Sequence, residues 1–193
     1  IVFDQAMRLQ NLIEGVLALH DETPETFAPT DVLATLHDAV ADLPEATQAR
    51  VHISTDGDLP LVAGNAPRLA YAWRHLLDNA AKFSPPESPI EVRAQVRGDL
   101  LVVDFTDQGI GIPAADFDRV FQPFTQLGHN LLTAKTSGIG LGLTLVRSII
   151  VGHGGRVTVA SELGHGSTFR VALPVLARVP TDTEPSNALI GAS

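Results

Sequence analysis

The period of the apolar positions changes several times along the chain, and the changes mark its elements. Over residues 3–22, Leu9, Leu12, Ile13, Val16, Leu17 and His20 recur at i, i+3, i+4 and i+7. That spacing predicts one amphipathic helix whose stripe has to be buried against another helix. Pro24 stops it. Phe27-Ala28-Pro29 reads as a short extended connector. Thr30 or Asp31 caps a second helix to about Leu43, with Val32, Leu33, Leu36 and Val40 as its apolar face. Arg50 to Thr55 alternates with period two. Asp56-Gly57-Asp58 turns the chain, and Leu59 to Ala63 is expected to return as the partner strand.

A third helix opens at Asn65, takes Pro67 in its permissive first turn, and runs to about Phe83 before Pro85-Pro86. Ile90 to Val96 and Leu100 to Thr106 predict a hairpin joined at Gly98-Asp99. Asp107 to Gly111 is a loop, and Ala114 to Phe121 is a short helix at most. Residues 125–137 carry no period and read as a mobile loop. A helix follows from Gly142, with Leu143, Val146, Ile149 and Ile150 on one face. Arg156 to Ala160 and Thr168 to Leu173 close the pattern as strands, and the chain after Pro174 frays. The mixture predicts an α+β fold: a two-layer sandwich with helices on one face of a mixed, mostly antiparallel sheet, preceded by one amphipathic helix.

Composition narrows the class. Hydrophobic residues make up 45% of the chain, as in ordinary globular proteins. The net charge of −9 argues against a nucleic-acid surface, which relies on clustered Lys and Arg. With no Cys there is no disulfide framework, thiolate metal site or thiol nucleophile. No apolar run is long enough to span a membrane, and no secretory signal is evident. A cytoplasmic location is expected, free or as the cytoplasmic part of a membrane-bound parent. The chain starts mid-pattern at Ile1-Val2-Phe3 and is read as a fragment of something longer.

Three stretches carry candidate chemistry. Gly138, Gly140 and Gly142 form a glycine ladder that becomes a helix without a break. Free N–H groups at such a start, with the positive end of the helix dipole, suit an anion. The same ladder also suits a flexible turn before a buried helix. On the third helix, His75, Asn79 and Lys82, with Asp78, share a polar face. The Asn79 carbonyl oxygen can complete a Mg²⁺ shell otherwise made of phosphate oxygens and water, and Lys82 can reach a phosphate. A merely solvated face has the same pattern. Asp107 follows a strand and precedes Gly109 and Gly111. It can accept a hydrogen bond from an exocyclic amine, or it can be an ordinary Asp-x-Gly turn. Phe121 and Phe124 are apolar anchors before the irregular stretch.

Taken in order, these stretches resemble the N, G1, F and G2 boxes of the ATP-binding catalytic domain of sensor histidine kinases, the Bergerat or GHKL type of ATPase fold. The N box is His75-Leu76-Leu77-Asp78-Asn79-Ala80-Ala81-Lys82-Phe83-Ser84-Pro85 and the G1 box Asp107-Gln108-Gly109-Ile110-Gly111-Ile112-Pro113. The F box is Phe121-Gln122-Pro123-Phe124 and the G2 box Gly138-Ile139-Gly140-Leu141-Gly142-Leu143. The resemblance extends over about residues 27–175, through the closing Gly154-Gly155-Arg156-Val157 and Gly164-His165-Gly166-Ser167-Thr168-Phe169.

The resemblance implies ATP and Mg²⁺ as ligands. Asn79 would coordinate the metal, Lys82 would contact phosphate, and Asp107 would read the adenine amine. Gly109 and Gly111 would shape the pocket. Gly138, Gly140 and Gly142 would offer N–H groups to the phosphates. Phe124, Leu141 and Thr168 would complete the nucleotide-binding set, and residues 125–137 would be the ATP lid. Residues 1–22 would be the end of a dimerisation helix, 23–30 a hinge, 31–175 the catalytic domain and 176–193 a flexible tail.

The N box departs from the usual pattern at His75, where related ATPases carry a Glu general base and histidine kinases an Asn. Gln126 stands where a basic residue often follows the F box, and Lys135 or His129 could replace it. His20-Asp21-Glu22-Thr23-Pro24 looks like a phosphoacceptor box, but its proline comes one residue early and it sits where the hinge belongs. The acceptor histidine is therefore expected before Ile1. The implied reaction is transfer of the γ-phosphoryl group to that histidine and on to a response-regulator receiver, in a parent that dimerises. A catalytically weak ATP sensor, a GHKL-type ATPase or an anti-sigma serine kinase are the alternatives.

Overall fold

In the computed structural model, residues 26–125 and 140–176 are described. The segment expected to form a first amphipathic helix, most of the expected lid, Gly138 and most of the expected tail lie outside them.

Ala28–Thr30 forms strand β1, and Val32–Ala41 forms helix α1. Asp31 caps α1, its carboxylate accepting from the N–H groups of Leu33 and Ala34 at 2.8 and 3.2 Å. After the helical turn α2, Glu45–Gln48, come β2, Val51–Thr55, and β3, Val62–Gly64. Helix α3, Ala66–Phe83, is capped by Asn65, which accepts from Arg68 N–H at 3.1 Å. Strands β4, Ile90–Arg97, and β5, Leu100–Asp107, are followed by two 3₁₀ turns, Ala114–Asp116 and Arg119–Phe121. Helix α4, Gly142–Gly152, and strands β6, Arg156–Glu162, and β7, Gly166–Pro174, complete the described chain.

The main sheet has the order β2-β4-β5-β7-β6. The β2–β4 pair is parallel and the other three are antiparallel. Alternation sets its faces. Ile90, Val92 and Ala94 of β4, Leu101, Val103 and Phe105 of β5, and Phe169, Val171 and Leu173 of β7 are buried. They meet the apolar faces of α1, α3 and α4 in one core. Helix α3 lies between α1 and α4. Its Trp73 stacks on Phe105 at 5.5 Å between ring centroids and donates Nε1–H to Thr35 Oγ1 at 2.9 Å, so the polar edge of the indole is satisfied inside the core. This is the two-layer, mostly antiparallel sandwich that the periodicity predicts.

Two local expectations need correction. The segment Leu59 to Ala63 does not pair with β2. The turn at Gly57 forms (φ 84°), but β2 pairs in parallel with β4, and β3 joins β1 in a separate two-stranded sheet. Burial decides this: Val62 is 1% exposed in the core, and Thr30 Oγ1 donates to Gly64 O at 2.9 Å. Ala28–Thr30, expected within an extended connector, likewise pairs as a strand.

Candidate functional site

The loop after β5 is the best defined part of the site. Asp107 ends the strand with its side chain on the helix-covered face, and it is 6% exposed. Its Oδ1 accepts from Gly109 N–H at 2.7 Å. Burial pushes its carboxyl above the usual carboxylate range, opposed by hydrogen bonds from Gly109 N–H and from the Ser167 backbone and by the nearby Ser84 hydroxyl. Gly109 is glycine by necessity. A Cβ there would stand 2.6 Å from Phe83 O and 2.7 Å from Asp107 Oδ1. The loop is seated on the β6–β7 hairpin, with Gly164 N–H donating to Ile110 O at 2.9 Å and Ile112 N–H to Ser161 Oγ at 2.8 Å. Gly111 is pressed against the backbone of Glu162.

Helix α3 supplies the second group. Asn79, His75 and Lys82 are all half-buried on the face away from Trp73 and Leu76, as the helical spacing requires. The His75 ring packs edge-on against Tyr71 at 4.4 Å. A Cβ on Gly142 would lie 3.2 Å from His75 Nδ1, so this ring stands directly beside the first residue of α4. Lys82 Nζ lies 4.9 Å from the centre of the Phe83 ring, and burial lowers its pKa.

The start of α4 is the third group. Its N-cap is Leu141, whose side chain is buried and makes no capping hydrogen bond. The first-turn N–H groups are therefore not taken up by a cap, as an anion site requires. The chain on either side of residues 126–139 is joined here. Phe124 N–H donates to Gly140 O at 2.9 Å, and a Cβ on Gly140 (φ 75°) would stand 2.7 Å from Thr125 O. Phe124 itself takes the left-handed conformation (φ 61°) and is 69% exposed, a strained placement for a bulky residue. Thr144 Oγ1 donates to Phe121 O at 3.2 Å and ties α4 to the 3₁₀ turn.

The structure thus brings Asp107, Gly109 and Gly111 into one loop, and His75 beside Gly142. It does not bring Thr168 to Asp107. The register pairs Asp107 with Ser167 and Thr106 with Thr168, so Thr168 points to the opposite face of the sheet, where its hydroxyl lies 3.0 Å from that of Thr106. Ser167 is the hydroxyl residue on the pocket side. Its signal was present in the sequence, because it shares parity with Phe169, Val171 and Leu173. Ser84 was also missed: its Oγ is buried beside Asp107 and has no hydrogen-bond partner among the described residues.

The residues present fit a nucleotide. They combine an uncapped helix start, a glycine in backbone contact beside a buried carboxylate, and an orphaned hydroxyl next to it. No group of three or more His, Cys, Asp or Glu side chains that could hold a metal ion occurs among the described residues.

Comparison with known proteins decides the family. Residues 64–177 match the model of the "Histidine kinase-, DNA gyrase B-, and HSP90-like ATPase" family. The chain belongs to this family. Within it, the similarity is to sensor histidine kinases, and the domain is of their ATP-binding catalytic type. Sensor-like histidine kinase SenX3 of Mycobacterium tuberculosis (strain ATCC 25618 / H37Rv) is 36% identical over 140 residues, covering 72% of this chain and 34% of SenX3. The chain therefore spans about a third of that relative's length. The solved structure of the mycobacterial sensor histidine kinase MprB is 27% identical with a TM-score of 0.64, covering 77% of this chain and 97% of that one. Full-length ShkA in complex with AMPPNP shares the fold at a TM-score of 0.73 and 23% identity, covering 86% of this chain and 36% of ShkA. The Bergerat-type fold implied by the four boxes is thus the fold of the domain. No helix among the described residues is long and apolar enough to cross a membrane.

Proposed function

We propose that this chain binds ATP with Mg²⁺ and supplies the catalytic domain of a two-component sensor histidine kinase. Its parent would transfer the γ-phosphoryl group to a histidine on its own dimerisation domain, in a cytoplasmic homodimer, and then to a response-regulator receiver. This reading is carried by one arrangement along α3: the loop after the buried Asp107 bonds to Phe83 at the helix end, the uncapped start of α4 stands beside His75, and Asn79 and Lys82 lie on the same helix.

In this reading Asp107 accepts from the exocyclic amine of the base, and Gly109 and Gly111 let the loop lie flat against it. Asn79 offers its carboxamide oxygen to Mg²⁺, which when bound would neutralise phosphate charge. Lys82 swings from the Phe83 ring to a phosphate, which relieves the burial of its charge. Gly140, Leu141 and Gly142 offer backbone N–H groups to the phosphates, with Gly138 continuing the same ladder. Phe124 stands at the root of the lid rather than under the base. His75 supports the phosphate end of the site. The acceptor imidazole is itself a nucleophile when neutral, so the domain acts by positioning and by stabilising charge.

The test is phosphate transfer from γ-labelled ATP to the parent's dimerisation domain, supplied as a separate chain. Label on that domain's histidine, lost in Asn79→Ala, is the expected result. ATP binding without any transfer would make the domain a nucleotide sensor. Steady phosphate release by this chain alone would make it an ATPase.

A further inference from the structure

Where α3 ends, its last residues meet the loop after β5. Ser84 precedes a proline, which excludes the helical region for the residue before it. Ser84 is accordingly extended (φ −104°, ψ 157°) and terminates the helix. The chain beyond it is pinned, because Arg50 Nε donates to Ser88 O at 2.8 Å and Arg50 Nη2 to Pro85 O at 2.9 Å. On the other side, Ile110 N–H donates to Phe83 O at 3.2 Å. Held between these anchors, the Ser84 hydroxyl is buried beside the Asp107 carboxylate and has no hydrogen-bond partner among the described residues. A buried hydroxyl left in that state costs free energy, so a role for it has to be sought.

The role follows from what a carboxyl group can do. Ionised, it only accepts hydrogen bonds; protonated, it also donates. Burial favours the protonated form of Asp107. Three groups oppose this: the bonds from Gly109 N–H and from the Ser167 backbone, and the Ser84 hydroxyl close by. The first two are backbone groups fixed by the fold, so Ser84 is the side chain of the three. An acceptor-only carboxylate suits an exocyclic amine and repels a carbonyl oxygen in the same place.

We propose that Ser84 is a specificity-determining residue of the base pocket. Its hydroxyl donates to Asp107 and holds that carboxylate as an acceptor, so that the pocket takes a 6-aminopurine nucleotide and rejects a 6-oxopurine one. This rests on the reading of Asp107 given above.

ATP and ITP differ at position 6, amine against carbonyl with a proton on N1, and are the probes. Calorimetric titration with each, in the presence of Mg²⁺, compares the natural sequence with Ser84→Ala, Ser84→Cys, Ser84→Thr and Asp107→Asn. The natural sequence is expected to prefer ATP. Ser84→Ala should lose ATP affinity roughly tenfold, the scale of a hydrogen bond to a charged group, while ITP affinity stays. Ser84→Cys keeps the volume but donates weakly, so it should behave like Ser84→Ala and excludes a cavity as the cause. Ser84→Thr should keep the preference. An equal loss of ATP and ITP affinity in Ser84→Ala and Ser84→Cys would make Ser84 a spacer and overturn the proposal. So would an unchanged ATP-to-ITP ratio in both. If the natural sequence does not distinguish the two nucleotides and Asp107→Asn changes neither affinity, the assignment of Asp107 fails and the proposal falls with it.

Discussion

Replacing Gly109 by Ala tests how the base end of the site is built. The added Cβ would lie 2.6 Å from Phe83 O, 2.7 Å from Asp107 Oδ1 and 3.0 Å from the Phe83 carbonyl carbon. Two of these atoms are backbone at the end of α3, which cannot yield as a flexible side chain would. The loop has to move away from the helix instead. That stretches the 3.2 Å bond from Ile110 N–H to Phe83 O and the 2.7 Å bond from Gly109 N–H to Asp107. Overpacking costs about 1–3 kcal/mol, and weakening these bonds adds about 1 kcal/mol, so a loss of roughly 2–4 kcal/mol is expected. At about 4 °C per kcal/mol, the Tm falls by roughly 8–16 °C. The control is Gly98→Ala in the β4–β5 turn. Gly98 has φ 64° and nothing within 4 Å of a built Cβ, so only conformational strain of about 1 kcal/mol is at stake. Melting followed by circular dichroism, with ATP titration below each Tm, reads both quantities. Gly109→Ala should lose stability and ATP affinity; Gly98→Ala should lose a little stability and keep affinity. Equal destabilisation of the two variants would refute the close-approach reasoning.

Asp107→Asn should separate binding from stability. It removes a buried charge that burial disfavours, so the melting temperature holds or rises, while ATP affinity falls by about 1.5–3 kcal/mol. A parallel drop in both would contradict the reading. ATP affinity of the natural sequence should also weaken as the pH falls toward the raised Asp107 value, and titrations from pH 8 to pH 5 measure this. His153 sets a second pH response. Its Nδ1 lies 2.7 Å from Ile149 O, Asn65 N–H donates to its Nε2 at 3.0 Å, and burial lowers its pKa from 6.5. Protonation would set two donors against each other at Nε2. Stability is therefore full above about pH 6.5 and declines as pH falls from there through the lowered folded value, a slope that urea melts should find and that His153→Gln should flatten. Lys82→Met should leave the unfolding free energy within about 0.5 kcal/mol of that of the natural sequence, since the charge is disfavoured where it lies, yet weaken ATP binding in titration.

Much of this was legible in the sequence where local rules agree. The span of α3 is written in its Asn65 cap, its period and the Ser84-Pro85 stop. The β4–β5 hairpin is written in its alternation and its Gly98-Asp99 turn. The sequence misled where distant contacts decide. The turn at Gly57 looks like a hairpin turn, but the burial of Val62 sends the next strand to β1. Ser167 and Thr168 are adjacent hydroxyl residues; parity with Phe169, Val171 and Leu173 puts Ser167 on the buried face, but the pairing of β5 with β7 is what sets it opposite Asp107. Ser84 carries no signal of its own in the sequence, because its place beside Asp107 depends on a loop more than twenty residues away in the chain. His75 was legible as a departure, but its seat beside Gly142 needed the contact between α3 and α4.

The most direct measurement is calorimetric titration of the chain with ATP, with and without Mg²⁺, beside the Asn79→Ala variant. Binding that tightens when Mg²⁺ is added, and that no longer responds to the metal in Asn79→Ala, is the expected result. An absence of heat at any ATP concentration, or binding equally tight with and without Mg²⁺ in both proteins, would contradict the account of an ATP site built around α3.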